Sequence, residues 1–96
     1  MNDDNLFPFQ KLDAYRVAFA LTRRVVHSSI RDAELRDQAT RAVKSTQLNL
    51  AEGLPGDAVG TRRKHFNIAD GSLHEVVAAV DIARAIAAIE IGRAHV

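Results

Sequence analysis

The fold of this chain is decided by the stretch QATRAVKSTQLNLAEG, which runs from Gln38 to Gly53. Small and polar residues recur in it three or four positions apart. On a helix of ~3.6 residues per turn this spacing gives one stripe, made of Ala42, Ser45, Asn49 and Glu52. An apolar stripe lies beside it, made of Leu35, Ala39, Val43, Thr46 and Leu50. A helix face with such small side chains predicts that another helix packs closely against it.

The flanking sequence predicts two further helices and no strand. Helical spacing of apolar residues predicts a first helix over Asp13 to Ser28. The second helix runs from Asp32 to Glu52, capped by Ser29 or Asp32 and stopped at Gly53. The third runs from Thr61 to Ile89 after a Gly/Pro turn at Leu54 to Gly60.

The segment before the first helix is an N-terminal arm, residues 1–11. Pro8 stands between Phe7 and Phe9 and cannot continue a helix from the residue before it, so a short extended segment is expected. The two phenylalanines are expected to pack on the bundle surface, because aromatic residues dominate small cores.

The third helix is apolar over most of its circumference, and such a helix needs partners on two sides. Gly71 in its interior costs ~1 kcal/mol relative to alanine, which suggests that another backbone packs closely there. If the third helix faces the small stripe of the second helix, Ser45 or Asn49 would contact Ser72, and Arg41 would contact Glu75.

These residues resemble the paired signatures of a four-helix-bundle family, the 23S-rRNA intervening-sequence proteins. The resemblance spans Phe9 to Ile89 and rests on two groups, which are Gln38, Arg41, Ala42, Ser45, Asn49, Ala51, Glu52 and Gly53, then Phe66, Ala69, Gly71, Ser72, Leu73 and Glu75. It implies an antiparallel up-down bundle, commonly a homopentamer, without established enzymatic activity. The chain is also similar to accessory proteins of diversity-generating retroelements, which are basic pentamers associated with nucleic acid and reverse transcriptase. It departs from the family at Thr46 and Gln47, where the family is more apolar, and in having three helices of the expected four.

The last residues, Glu90 to Val96, read EIGRAHV and break the preceding pattern. The common sequencing-adapter string AGATCGGAAGAGCACACGTC, with one preceding base, encodes them. We interpret residues 90–96 as a non-native tail, the alternative being a genuine short tail, and expect the natural protein to continue into a fourth helix. Without that helix, part of the arc from Leu73 to Ile89 should stay exposed and favour self-association.

Composition sets the outer bounds of the interpretation. A chain of 96 residues is one helical-bundle domain, residues 1–96, near the size at which a single core gives marginal stability without oligomerisation. It has no cysteine, which excludes disulfides and thiolate clusters and suggests a reducing, cytoplasmic compartment. The acidic N-terminus is unlike a secretory signal, and no apolar run is long enough for a membrane span.

Several residues invite chemical interpretations that fail. Asp70 and His74 are spaced like two ligands on one helix face, with His65 and Glu75 nearby, but further ligands are lacking and a solvated face is the better interpretation. Ser72 sits within a helix, without the strand and second glycine of a nucleophile elbow. Glu52 and Glu75 have no accompanying nucleophile or cofactor loop. The sequence therefore predicts no catalytic residue, no cofactor and no metal.

One charge cluster is unusual. Arg62, Arg63 and Lys64 begin the third helix, where cations oppose the helix dipole. With free backbone N–H groups they form a candidate phosphate site, which an oligomer would repeat, although an ordinary solvated turn explains them as well.

Two functions follow from the sequence. The first is a non-enzymatic module that homo-oligomerises, five copies being implied by the resemblance, and serves as a scaffold for a protein partner. The alternative is a nucleic-acid-binding accessory protein that uses Arg62, Arg63 and Lys64.

Overall fold

The computed structural model describes residues 8–53 and 59–94, which form a helical bundle. A short 3-10 helix at Pro8–Lys11 precedes α1 (Asp13–Val26), α2 (Ala33–Gly53) and α3 (Val59–Ala94). Within these two ranges there is no strand, so the predicted all-α fold with three helices is confirmed.

The predicted helix boundaries hold for α1 and α2 to within two residues. α1 ends at Val26, where the Ser28 hydroxyl and the His27 amide donate to carbonyls of the last turn. The carboxylate of Asp32 accepts a hydrogen bond of 2.9 Å from the Leu35 amide, so Asp32 is the predicted N-cap of α2.

α3 is longer than predicted at both ends. It begins at Val59, so Val59 and Gly60 belong to the helix and not to the turn, of which residues 54–58 lie outside the described ranges. It continues through Glu90 to Ala94, where the prediction ended it at Ile89. Glutamate, arginine and alanine in this segment favour a helix and no proline interrupts it, so the helix continues despite the cost of ~1 kcal/mol at Gly92.

The N-terminal arm differs from the prediction. Pro8–Lys11 form a 3-10 helix where an extended segment was expected, because a proline without an N–H group is readily accommodated at the first position of a helix. Phe7 and the side chain of Phe9 lie outside what the structure describes, and their predicted packing stays a prediction.

The core is built around α2 from short side chains. Its buried cluster takes Val25 from α1, four residues from α2 and two from α3, the latter six being Leu35, Ala39, Ala42, Val43, Val76 and Ala79. The buried Thr46 hydroxyl donates to the Ala42 carbonyl, which satisfies it within the helix. The predicted apolar stripe of α2 is therefore buried, apart from the half-buried Leu50.

Gln47 joins α1 to α2. Its amide nitrogen donates to the Tyr15 hydroxyl at 3.0 Å, and its amide oxygen accepts from the Thr22 hydroxyl at 3.0 Å. The sequence comparison had marked Gln47 only as a departure from a more apolar pattern. The structure gives it a polar contact with a neighbouring helix.

The molecule is long and thin. Its principal extents are 58 × 31 × 17 Å and its radius of gyration is 16.3 Å, where a compact chain of this length would have about 12.5 Å. Ile86 is the last residue of α3 that packs on the core, and among the described residues those at 87–93 are exposed. As predicted, large side chains of the arc from Leu73 to Ile89 stay exposed, among them Val77, Ile82 and Ile89.

Candidate functional site

Polar contacts run along the line where α2 and α3 meet. The hydroxyls of Ser45 and Ser72 are 2.8 Å apart, which confirms the predicted meeting of the two helices at these residues. Asn49, one turn farther along α2, donates to the Ser45 carbonyl at 2.8 Å. Serine hydroxyls that bond each other across two helices allow their backbones to approach closely, so this line fixes how α3 lies on α2.

His65 continues the line at the N-terminal part of α3. Its Nδ1 lies 3.0 Å from Asn49 Oδ1 and 3.5 Å from a carboxylate oxygen of Glu52. Because both neighbours accept hydrogen bonds, Nδ1 carries the hydrogen. The sequence analysis had weighed His65 as a metal ligand and missed this contact between helices.

Gly53 and Phe66 lie close together at one end of this line of contacts between α2 and α3. A Cβ atom built on Gly53 would lie 2.7 Å from Phe66 Cε1, inside the contact distance of real side chains. α2 includes Gly53 as its last residue, one residue beyond the predicted end at Glu52. However, the φ of Gly53 is not positive, so what requires glycine here is the approach of Phe66 and not a left-handed turn.

Two predictions about the packing motif are wrong. Gly71 is exposed, and a Cβ atom there would meet nothing within 4 Å, so no backbone packs against it within the described chain. Arg41 and Glu75 are both exposed and form no ion pair in the part of the chain that the structure describes. The small stripe of α2 does face α3, since Ser45 and Asn49 contact side chains of α3 and a carboxylate oxygen of Glu52 lies 3.5 Å from Nδ1 of His65.

The chemistry available along this line is limited. Ser72 bonds Ser45, and no histidine of the described ranges forms a hydrogen bond with it to act as a base. Among residues 8–53 and 59–94, no group of three histidine or acidic side chains is placed to hold a metal. Asp70 and His74 do contact each other, but on the exposed surface, where Nδ1 of His74 lies 2.7 Å from the Asp70 carbonyl oxygen.

The basic cluster lies at the N-terminal end of α3. Arg62, Arg63 and Lys64 are all exposed, as predicted, and Arg62 also makes a contact within the protein. Beside them is a shallow depression of about 280 Å³, lined by Val59, Arg62, Arg63, Phe66 and Asn67. The structure places the aromatic ring of Phe66 next to two of these cations.

A comparison with protein families fits this arrangement. The family model described as the 23S rRNA-intervening sequence protein matches residues 10–94. The chain belongs to this family. No match was found among curated proteins or among solved structures.

As a member of the 23S rRNA-intervening sequence protein family, the chain carries the family's helical fold. Both residue groups that carried the resemblance lie in the matched range, and the Ser45–Ser72 contact joins one group to the other. None of the described helices contains an apolar stretch that is long enough to cross a membrane.

Proposed function

We propose that this protein is a non-enzymatic bundle that assembles with copies of itself and serves as a scaffold. The observation that carries the proposal is the apolar surface that α3 leaves in water. Val77, Ile82 and Ile89 are each about half exposed, at 54%, 49% and 55%. The family resemblance supports the same proposal and gives five as the number of copies.

The free energy that burial of this apolar surface would contribute is large compared with the stability of so small a domain. Apolar surface gains ~25 cal/mol per Å² on burial, so a few hundred Å² covered by another copy stabilises the protein by several kcal/mol. A domain of this size has a total stability of only ~5–15 kcal/mol. Assembly therefore supplies stability that the small Ala- and Val-rich core does not.

The mass of the particle in solution tests the proposal. We expect light scattering to give a multiple of the 10.5 kDa chain mass at micromolar concentration. A single-chain mass would contradict self-association.

A second function, nucleic-acid binding, is favoured by a separate observation. Arg62 and Arg63 line one depression with the half-buried ring of Phe66. Proteins that bind single-stranded nucleic acid combine two elements, which are cations that neutralise phosphates and an aromatic ring that stacks on a base. Repeated in an oligomer, weak single sites of this kind would add up to useful avidity.

Charge reversal tests this function. We expect the triple variant Arg62→Glu, Arg63→Glu, Lys64→Glu to bind a labelled single-stranded RNA at least about tenfold more weakly. Its affinity should also depend less on salt, because the slope of log affinity against log salt concentration changes by ~0.7 for each phosphate contact that is lost. The matched control is Arg23→Glu, Arg24→Glu, Arg31→Glu, which changes the net charge equally at other exposed positions.

The control should keep most of its affinity. Equal losses in both variants would show an effect of net charge alone. Salt-independent binding, or no binding by the unmodified protein, would contradict the nucleic-acid function.

A further inference from the structure

A groove between α1 and α2 lies on the outside of the bundle. It contains a depression of about 240 Å³, lined by Tyr15, Lys44, Gln47, Leu48 and Ala51. Leu48, in its wall, is 59% exposed. We call this surface the outer groove.

The outer groove faces away from the core. Lys44 and Leu48 lie two positions before and two positions after the buried Thr46, so each is about 160° around α2 from it. The expected fourth helix would pack on the core side of α1 and α3 and would leave this groove open. An occupant of the groove therefore has to come from another part of the chain or from another molecule.

The walls of the outer groove fit an apolar side chain that has a carboxylate nearby. Both ends of the Gln47 side-chain amide are already hydrogen-bonded to α1, while Leu48, Ala51 and the ring of Tyr15 offer apolar contact. Lys44 is exposed, and no acidic residue lies one turn before or after it on α2. Its charge is therefore open to a carboxylate from outside the helix.

The first seven residues, MNDDNLF, carry this chemistry. Asp3 and Asp4 supply carboxylates, and Leu6 and Phe7 supply large apolar side chains. The segment leads directly into the 3-10 helix Pro8–Lys11, which contacts α2 as well as α1. Its C-terminal end is therefore fixed at the surface that contains the groove.

The segment is also long enough to reach along the groove. Tyr15, in the first turn of α1, bonds Gln47 in the C-terminal part of α2, so the residues before α1 lie near that part of α2. Seven extended residues span up to about 24 Å. The groove from Ala51 to Lys44 covers only about 10 Å of α2.

We propose that residues 1–7 dock in the outer groove of their own chain, with the ring of Phe7 in the depression and the carboxylate of Asp4 at Lys44. A residue before proline favours an extended or polyproline conformation, and in the latter, residues three apart share one side at about 9 Å. Phe7 beside Leu48 therefore places Asp4 close to Lys44. The aromatic contact supplies most of the stabilisation, because an exposed ion pair contributes little.

This docking gives the predicted packing of Phe7 a location. It does not depend on self-association, because each chain fills its own groove. The docked segment covers Leu48 and the charge of Lys44, so an acidic and aromatic segment of another protein would have to displace it. Residues 1–7 therefore weaken binding of such a partner to this face.

Disulfide formation tests the docking, because the chain has no cysteine of its own. Asp4→Cys with Lys44→Cys places one thiol on the N-terminal segment and one on the groove, and it keeps Phe7. The matched control is Asp4→Cys with Ala20→Cys. Ala20 is exposed and lies two positions before Thr22, about 160° around α1 from a residue that contacts α2. Both helix positions are exposed, so the substitutions leave the core intact, which circular dichroism checks.

The rate of oxidation at low protein concentration gives the result. We expect the 4–44 pair to form a disulfide within one chain at least about tenfold faster than the 4–20 pair, because docking raises the local concentration of the two thiols. Adding Phe7→Ala to the 4–44 pair should lower its rate to that of the control. Equal rates in the two pairs, an unchanged rate with Phe7→Ala, or links mainly between two chains would overturn the proposal.

Discussion

Replacing Val76 by aspartate should unfold the protein. Val76 is 1% exposed and lies in the central cluster where α3 meets α2. An unpaired carboxylate in that position would lose its hydration without gaining a partner, at a cost of several kcal/mol. This approaches the ~5–15 kcal/mol by which a whole domain is stable. Circular dichroism should show loss of most helical signal at 25 °C.

The neighbouring residue supplies the control. Val77 is 54% exposed, so Val77→Asp makes the same chemical change where the carboxylate stays in water. Its helical signal should remain and its thermal transition should shift by only a few degrees. If the two variants were equally stable, the orientation of α3 on α2 described above would be wrong.

Gly53→Ala should destabilise the protein by about 1–3 kcal/mol, the usual cost of overpacking. The new methyl group would lie 2.7 Å from Phe66 Cε1 and 3.2 Å from His65 Cβ, so the ring or the start of α3 must shift. Denaturant unfolding measures the loss. Without this clash, glycine to alanine in a helix would raise stability by up to ~1 kcal/mol.

Two comparisons show whether Phe66 causes the effect. Gly60→Ala, in α3, meets nothing within 4 Å and should be neutral or stabilising. Phe66→Leu combined with Gly53→Ala should recover part of the loss, giving a favourable coupling energy in a double-mutant cycle. Additive effects would mean that the two residues do not press on each other.

Local patterns were sufficient to predict the helices. Asp32 caps α2 because a carboxylate three residues before an amide can accept its hydrogen bond, a relation that sequence spacing contains in full. The buried stripe of α2 follows in the same way from its period. The contact of Ser45 with Ser72 was predictable because small residues on two helices permit close approach.

Relations between helices were harder to predict. A glycine that admits a neighbour and a glycine on an open surface look alike in sequence, so Gly71 was assigned the close packing that Gly53 has. His65 and Gln47 were missed because their partners lie on other helices, at distances along the chain that follow from the register of packing. The end of α3 was missed because residues 90–96 were interpreted as a non-native tail, although glutamate, arginine and alanine among them favour a helix.

The central claim, that the protein works as an assembly of its own copies, is tested most directly by its mass in solution. Light scattering across a dilution series, at low and at high salt, should give a multiple of the 10.5 kDa chain. Because the exposed α3 residues are apolar, high salt should not dissociate the particle. A 10.5 kDa monomer that melts cooperatively and binds no hydrophobic dye would contradict the claim.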